Sequence, residues 1–127
     1  MSSKSVALGA LVVIVFGAAS VNWSRAQTEA PAKADSELVE AARLTLHGMQ
    51  EHYKSGHATA EDVYRWSKRT ADAEHGAGIG AAYTDHLKRM QTLESYLKAA
   101  SEQGRVSDFE LAAAKYYVAE ASAMPVP

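Results

Sequence analysis

Apolar residues recur at intervals of three and four along most of the chain from residue 36 onward. This spacing places them on one face of a helix. The alternation with period two that marks β-strands is absent from the sequence. We therefore predict an all-α fold of four short helices, over residues 36–54, 60–75, 80–102 and 108–122. Short turns that contain glycine should pack consecutive helices antiparallel, as two helical hairpins.

The third predicted helix has the most regular apolar pattern, which is similar to the seam of a short coiled coil. Its stripe comprises Tyr83, His86 or Leu87, Met90, Leu93, Leu97 and Ala100. We expect this helix to be the central element of the core. The predicted buried set is Met49, Trp66, Leu87, Met90, Leu93, Leu97 and Phe109.

The turn motif between helices occurs twice in the chain. Gly56 is followed by Thr59, and Gly104 is followed by Ser107. Glycine adopts the left-handed conformation that ends a helix, and Thr or Ser caps the start of the next one. A third turn is predicted at the glycine-rich stretch 76–80, because several glycines disfavour a continuous helix.

The N-terminal residues have the pattern of a secretory signal. Lys4 precedes an uncharged stretch, residues 6–21, and Ser24-Arg25-Ala26 resembles a cleavage site. We predict a periplasmic or secreted protein that is cleaved after Ala26. The alternative is a membrane anchor formed by residues 6–21. The predicted division is a signal peptide over 1–26, a flexible polar spacer over 27–35, a helical domain over 36–122 and a tail over 123–127.

Composition narrows the classes of partner. The chain carries a net charge of −2, and the predicted signal removes two basic residues and no acid. Nucleic acid is therefore not an expected partner, because it calls for a basic face. The chain has no Cys, so disulfides cannot stabilise this small domain. We expect it to associate with itself or with a protein partner through its helix faces. A membrane is expected as a partner only if the N-terminal segment stays as an anchor.

Catalytic motifs do not occur in the sequence. It has no phosphate-binding loop after a strand and no nucleophile elbow, so we predict a non-enzymatic protein without a cofactor. The five histidines leave a metal site open. His47 and His52 are not spaced to share a metal on one helix face, but one of them could converge with His86 and Met90 across helices. A periplasmic metal-sensing or chaperone-like helical protein is therefore the alternative function.

One turn carries a family resemblance. The motif Tyr53-x-x-Gly56-x-x-Thr59-x-x-Asp62-Val63-x-x-x-Ser67 resembles the helix–turn–helix signature of TolC-type outer-membrane efflux proteins. The resemblance implies an all-helical interaction module of the cell envelope. It implies no channel, because the helices are short and barrel strands are not predicted. The predicted function is an exported helical protein that binds or scaffolds partners in the envelope.

Overall fold

The computed structural model of the protein describes the backbone of residues 17–125 and the side chains of residues 32–125. This part of the chain folds into four helices and contains no strand. The helices are α1 (Gly17–Lys54), α2 (Ala60–Gly76), α3 (Ala82–Glu102) and α4 (Asp108–Ser122). The predicted all-α fold is confirmed, with boundaries of α2, α3 and α4 within two residues of those expected.

Helix α1 begins earlier than predicted. Residues 27–35, which we predicted as a spacer, lie within it. The reason is local, because Ala, Gln, Glu and Lys supply most of this segment and are good helix formers. Residues 1–16, which carry most of the predicted signal, lie outside the described residues. From Asp35 onward the chain forms one compact unit.

No helix in the described part of the chain combines the length of a membrane span with the apolar character that a span needs.

All three turns between the helices use the same backbone device. Gly56, Gly78 and Gly104 have positive φ angles of 83°, 83° and 73°. In each turn the amide of the residue after the glycine donates to a carbonyl five residues back, in the preceding helix. These bonds are His57 to His52 at 2.8 Å, Ile79 to Glu74 at 2.9 Å and Arg105 to Ala100 at 2.8 Å. This is the Schellman arrangement that ends a helix and satisfies its last carbonyls. The predicted turns, including the break at 76–80, are confirmed.

Capping boxes start α2 and α4, as the sequence predicts. The Thr59 side chain accepts a hydrogen bond from the Asp62 amide at 3.1 Å, and Asp62 Oδ2 accepts one from the Thr59 amide at 2.9 Å. Ser107 and Glu110 form the same reciprocal pair at the start of α4. Each box satisfies amides that have no partner within the helix.

The core is centred on α3, which packs against both α2 and α4. The buried apolar residues that α3 contributes are Ala82, Met90, Leu93, Leu97 and Ala100. Helix α1 contributes Val39, Ala42 and Leu46, and the smaller Val63, Ala71, Ala114 and Ala121 come from α2 and α4. The predicted burial of Met90, Leu93 and Leu97 is therefore confirmed.

Other members of the predicted core lie elsewhere. Phe109 is 81% exposed, and Met49, Trp66 and Leu87 are only partly buried. The reason is helix rotation, because each residue turns the side chain by about 100°. Helix α4 faces the core with Ala114 and Ala121, so Phe109 points away.

Candidate functional site

The interface between α2 and α3 contains a buried polar pair. Ser67 Oγ lies 2.7 Å from His86 Nδ1, and both residues have 0% of their surface exposed. Ser67 lies one turn after Val63, and His86 lies one turn before Met90, so both share the apolar face of their helix. The polar pair is therefore held inside the apolar core by the helix geometry.

Arg89 completes this pair from the next turn of α3. Its Nε donates to Ser67 Oγ at 2.6 Å, and its Nη2 donates to the Ser67 carbonyl at 3.2 Å. A guanidinium can only donate, so the Ser67 hydroxyl accepts from Arg89. The hydroxyl has a second lone pair as well as its own proton, so the tautomer of the imidazole sets the direction of its bond to His86 Nδ1.

The environment keeps His86 uncharged at neutral pH. Burial and the nearby charge of Arg89 lower the pKa of His86 to about 4, although Glu120 and Asp72 act in the opposite direction. Its Nε2 has no hydrogen-bond partner among the described residues. The Ser–His distance is that of a nucleophile and its base. However, the hydroxyl is sealed from solvent, so no substrate reaches it in this conformation.

A second polar cluster joins α1 to α2. Arg43 Nε donates to Glu74 Oε2 at 2.7 Å, and only 5% of Glu74 is exposed. Glu74 Oε1 is buried and has no hydrogen-bond partner in the described part of the chain. Thr70 Oγ1 lies 3.2 Å from the Ala42 carbonyl and 2.7 Å from the Trp66 carbonyl. These contacts set the position of α1 against α2.

A third cluster links α2 to α4. The Tyr64 hydroxyl donates to Glu120 Oε1 at 2.6 Å, and the Tyr64 ring stacks on Tyr117 with centroids 4.1 Å apart. Lys68 Nζ lies 3.5 Å from Glu120 Oε2. Burial raises the pKa of Glu120, but the bond from Tyr64 and the charge of Lys68 outweigh it and hold this pKa below its usual value. The tyrosines thus serve interhelix packing here.

The structure places the candidate metal ligands in different environments. His86 and Met90 are fully buried on α3, whereas His47 and His52 are exposed on α1. His86 Nδ1 is occupied by Ser67, and the His52 ring faces His57 at a centroid distance of 6.4 Å. Within residues 32–125, no group of three or more His, Asp or Glu side chains is placed to hold a metal ion.

Two open grooves lie on the surface of the compact unit. One, the Trp66 groove, has a volume of about 480 Å³ and lies between α1 and α2. Its walls include Leu38, Ala41, Thr45, Trp66 and Arg69. The other, the Arg89 groove, has a volume of about 430 Å³. Residues of α1, α2 and α3 line it, among them Tyr53, Lys54, Val63, Arg89, Leu93 and Tyr96.

Aromatic side chains shape one end of the Arg89 groove. The Tyr53 and Tyr96 rings meet edge to face, with centroids 5.6 Å apart. The guanidinium of Arg105 lies 6.0 Å from the Tyr96 ring centroid. Burial, assisted by the neighbouring Tyr96 and Glu110, raises the pKa of Tyr53 to about 12. The Tyr53 phenol is therefore neutral, and the groove combines aromatic walls with the cationic side chains of Lys54 and Arg89.

Comparison of the chain with protein-family models, with characterised proteins and with solved structures finds no match. The resemblance to TolC-type proteins therefore stays an expectation from the turn motif alone.

The sequence predictions gave no role in these clusters to several of their residues, among them Ser67 and Arg89. Ser67 shares one helix face with Val63, Thr70 and Glu74, at the spacing of an apolar stripe. Polar residues at such positions indicate a buried polar contact, because they must find partners inside the protein.

Proposed function

We propose that this chain is an exported, non-enzymatic helical protein of the cell envelope that binds or scaffolds through its helix faces. The observation that carries the proposal is the Trp66 groove. Leu38 on its wall is 58% exposed, and the half-buried Trp66 forms its other side. An open apolar groove between two helices is suited to an amphipathic helix.

We assign the Trp66 groove to a second copy of the chain. A small domain without disulfides gains stability by burying apolar surface between copies. The groove runs between α1 and α2, so two copies related by a two-fold axis could bury the same residues on both sides. The alternative occupant of the same groove is a different envelope protein, which a monomeric parent in the sedimentation experiment would favour.

A binding role also agrees with the state of the Ser67–His86 pair. Ser67 and His86 lie at the distance of a nucleophile and its base, yet neither side chain is exposed. The export part of the proposal rests on the sequence pattern of residues 1–26. Intact mass of the exported protein tests it, since loss of residues 1–26 is expected and their retention in a membrane fraction would indicate an anchor.

Sedimentation of residues 27–127 tests the self-association. A dimer is expected at micromolar concentration, and Leu38→Asp should shift it to monomer, because a carboxylate would be buried without a partner. Leu44→Asp is the matched control, since Leu44 is 67% exposed on α1 but does not line the groove. A monomeric parent, or equal effects of the two substitutions, would contradict self-association through this groove.

Calorimetric titration with Zn²⁺ tests the metal-sensing alternative. We expect no heat of specific binding, and tight binding of one ion would favour that alternative.

A further inference from the structure

The Arg89 groove has the dimensions of a small-molecule site and lies apart from the proposed dimer groove. Its volume of about 430 Å³ falls within the range of roughly 300–1,000 Å³ that is typical of ligand pockets. Val63 and Leu93 supply aliphatic surface, and Tyr53 and Tyr96 supply aromatic surface. The walls thus fit an apolar or aromatic body.

Arg89 supplies a fixed cation to the same groove. Two of its nitrogens are held by Ser67, at 2.6 and 3.2 Å, so the guanidinium is pre-oriented. Its other N–H groups have no hydrogen-bond partner among the described residues. The charges of Glu74 and Asp85 act on Arg89, but neither forms an ion pair with it in the described part of the chain. Donors remain on this guanidinium for a ligand.

Negative charge near the groove comes from residues outside its lining, namely Glu51, Glu74, Asp85 and Glu110. Lys54 lies on the rim and pairs with Glu51 at 3.1 Å, where both side chains are largely exposed. No Asp or Glu is among the residues described as lining this groove. The local charge therefore favours an anionic ligand over a neutral or cationic one.

We propose that the Arg89 groove binds small organic carboxylates with an aromatic or alkyl body. The carboxylate would accept hydrogen bonds from the remaining N–H groups of Arg89, since a guanidinium matches its planar geometry. The body would lie against Leu93 and the edge-to-face pair of Tyr53 and Tyr96. This site goes beyond the proposed dimer contact, because the two grooves share no lining residue.

Matched ligands test the chemistry on residues 27–127 by nuclear magnetic resonance. 4-Phenylbutyrate should bind at least about fivefold more tightly than the neutral 4-phenylbutyramide, because a hydrogen bond to a charged partner is about twice as strong. Shifted amide signals should map to Val63, Thr92 and Leu93. Equal affinity of the two ligands, or signals that move around Trp66 instead, would overturn the proposal. Acetate, which lacks the aromatic and alkyl body, tests the contribution of the apolar walls. Acetate binding as tight as that of 4-phenylbutyrate would also overturn the proposal.

Variants test the walls and the cation separately. Tyr96→Ala should weaken binding of 4-phenylbutyrate about threefold or more, by loss of contact area. Tyr116→Ala is its control, since Tyr116 is 60% exposed on α4 and lies outside the groove. Arg89→Gln should remove the preference for carboxylate over amide, whereas Lys88→Gln, with the same charge change on the exposed neighbour, should preserve it. If Arg89→Gln does not fold, the proposal is tested by the affinities of 4-phenylbutyrate and 4-phenylbutyramide for the parent protein and by Tyr96→Ala. An unchanged affinity for 4-phenylbutyrate in Tyr96→Ala would contradict the proposed site.

Discussion

Ser67 Oγ lies 2.7 Å from His86 Nδ1 across the α2–α3 interface, and neither side chain is exposed. The pair has the distance of a catalytic dyad but the surroundings of a structural contact. Arg89 binds the same hydroxyl from the edge of the Arg89 groove. The buried pair therefore connects helix packing to the position of the cation in the proposed ligand site.

The first prediction concerns the hydroxyl of Ser67. Ser67→Ala should lower the free energy of unfolding by about 1–3 kcal/mol, because His86 Nδ1 and Arg89 Nε both lose their partner. Urea unfolding monitored by circular dichroism measures this loss. Ser95→Ala, at an exposed position of α3, should change the stability by no more than about 0.5 kcal/mol. A similar result for both substitutions would show that the buried bond contributes nothing.

The second prediction concerns acid stability. The pKa of His86 is about 4 in the folded protein, against an ordinary value of 6.5. Between these pH values His86 is protonated in the unfolded chain but not in the folded protein. The contribution of neutral, buried His86 to stability is therefore fully present above about pH 6.5 and is lost as the pH falls towards 4. The loss from this group should amount to about 2–3 kcal/mol.

His86→Gln tests this assignment, because a glutamine amide does not titrate and its oxygen can accept the Ser67 proton. Its stability should vary less between pH 7 and pH 4 than that of the parent protein, in urea unfolding at several pH values. His47→Gln, at an exposed histidine of α1, should keep the parent's slope. An unchanged slope in His86→Gln would assign the acid sensitivity to other groups.

The third prediction concerns the turn between α2 and α3. Gly78 has a φ of +83°, which residues with a Cβ atom rarely adopt. Gly78→Ala should therefore destabilise the protein by about 1–2 kcal/mol. Gly48→Ala within α1 should stabilise it by about 0.5–1 kcal/mol, since an added Cβ meets no atom within 4 Å there. Thermal unfolding distinguishes the two, and melting temperatures that move in the same direction would argue against this turn geometry.

The fourth prediction compares two large apolar residues. Leu97 is 1% exposed and Phe109 is 81% exposed. Leu97→Ala should cost about 2–5 kcal/mol, because it leaves a cavity in the core. Phe109→Ala should cost less than about 0.5 kcal/mol. A large loss for Phe109→Ala in dilute monomeric protein would place that ring in the core after all.

Short-range patterns in the sequence determined where α1, α2 and α3 end and where α2 and α4 begin. Gly56, Gly78 and Gly104 end helices through bonds to carbonyls within the same turn, and Thr59 and Ser107 cap the next helices through residues three positions away. Such contacts depend on neighbouring residues alone, so the turns and the all-α class were predictable. The regular stripe of α3 likewise predicted Met90, Leu93 and Leu97 in the core.

Only the tertiary structure decided how each helix is rotated against its neighbours. A one-residue error in the stripe moves a side chain by about 100°, which placed Trp66 in the predicted core in place of Ser67. Helix α4 faces the core with Ala114 and Ala121, and Phe109 lies on another face. Both candidate grooves also depend on how the helices are rotated, because their lining residues come from separate helices and converge only when those helices pack. The sequence therefore determined the elements from local contacts, whereas the sites depend on the long-range packing that orients those elements.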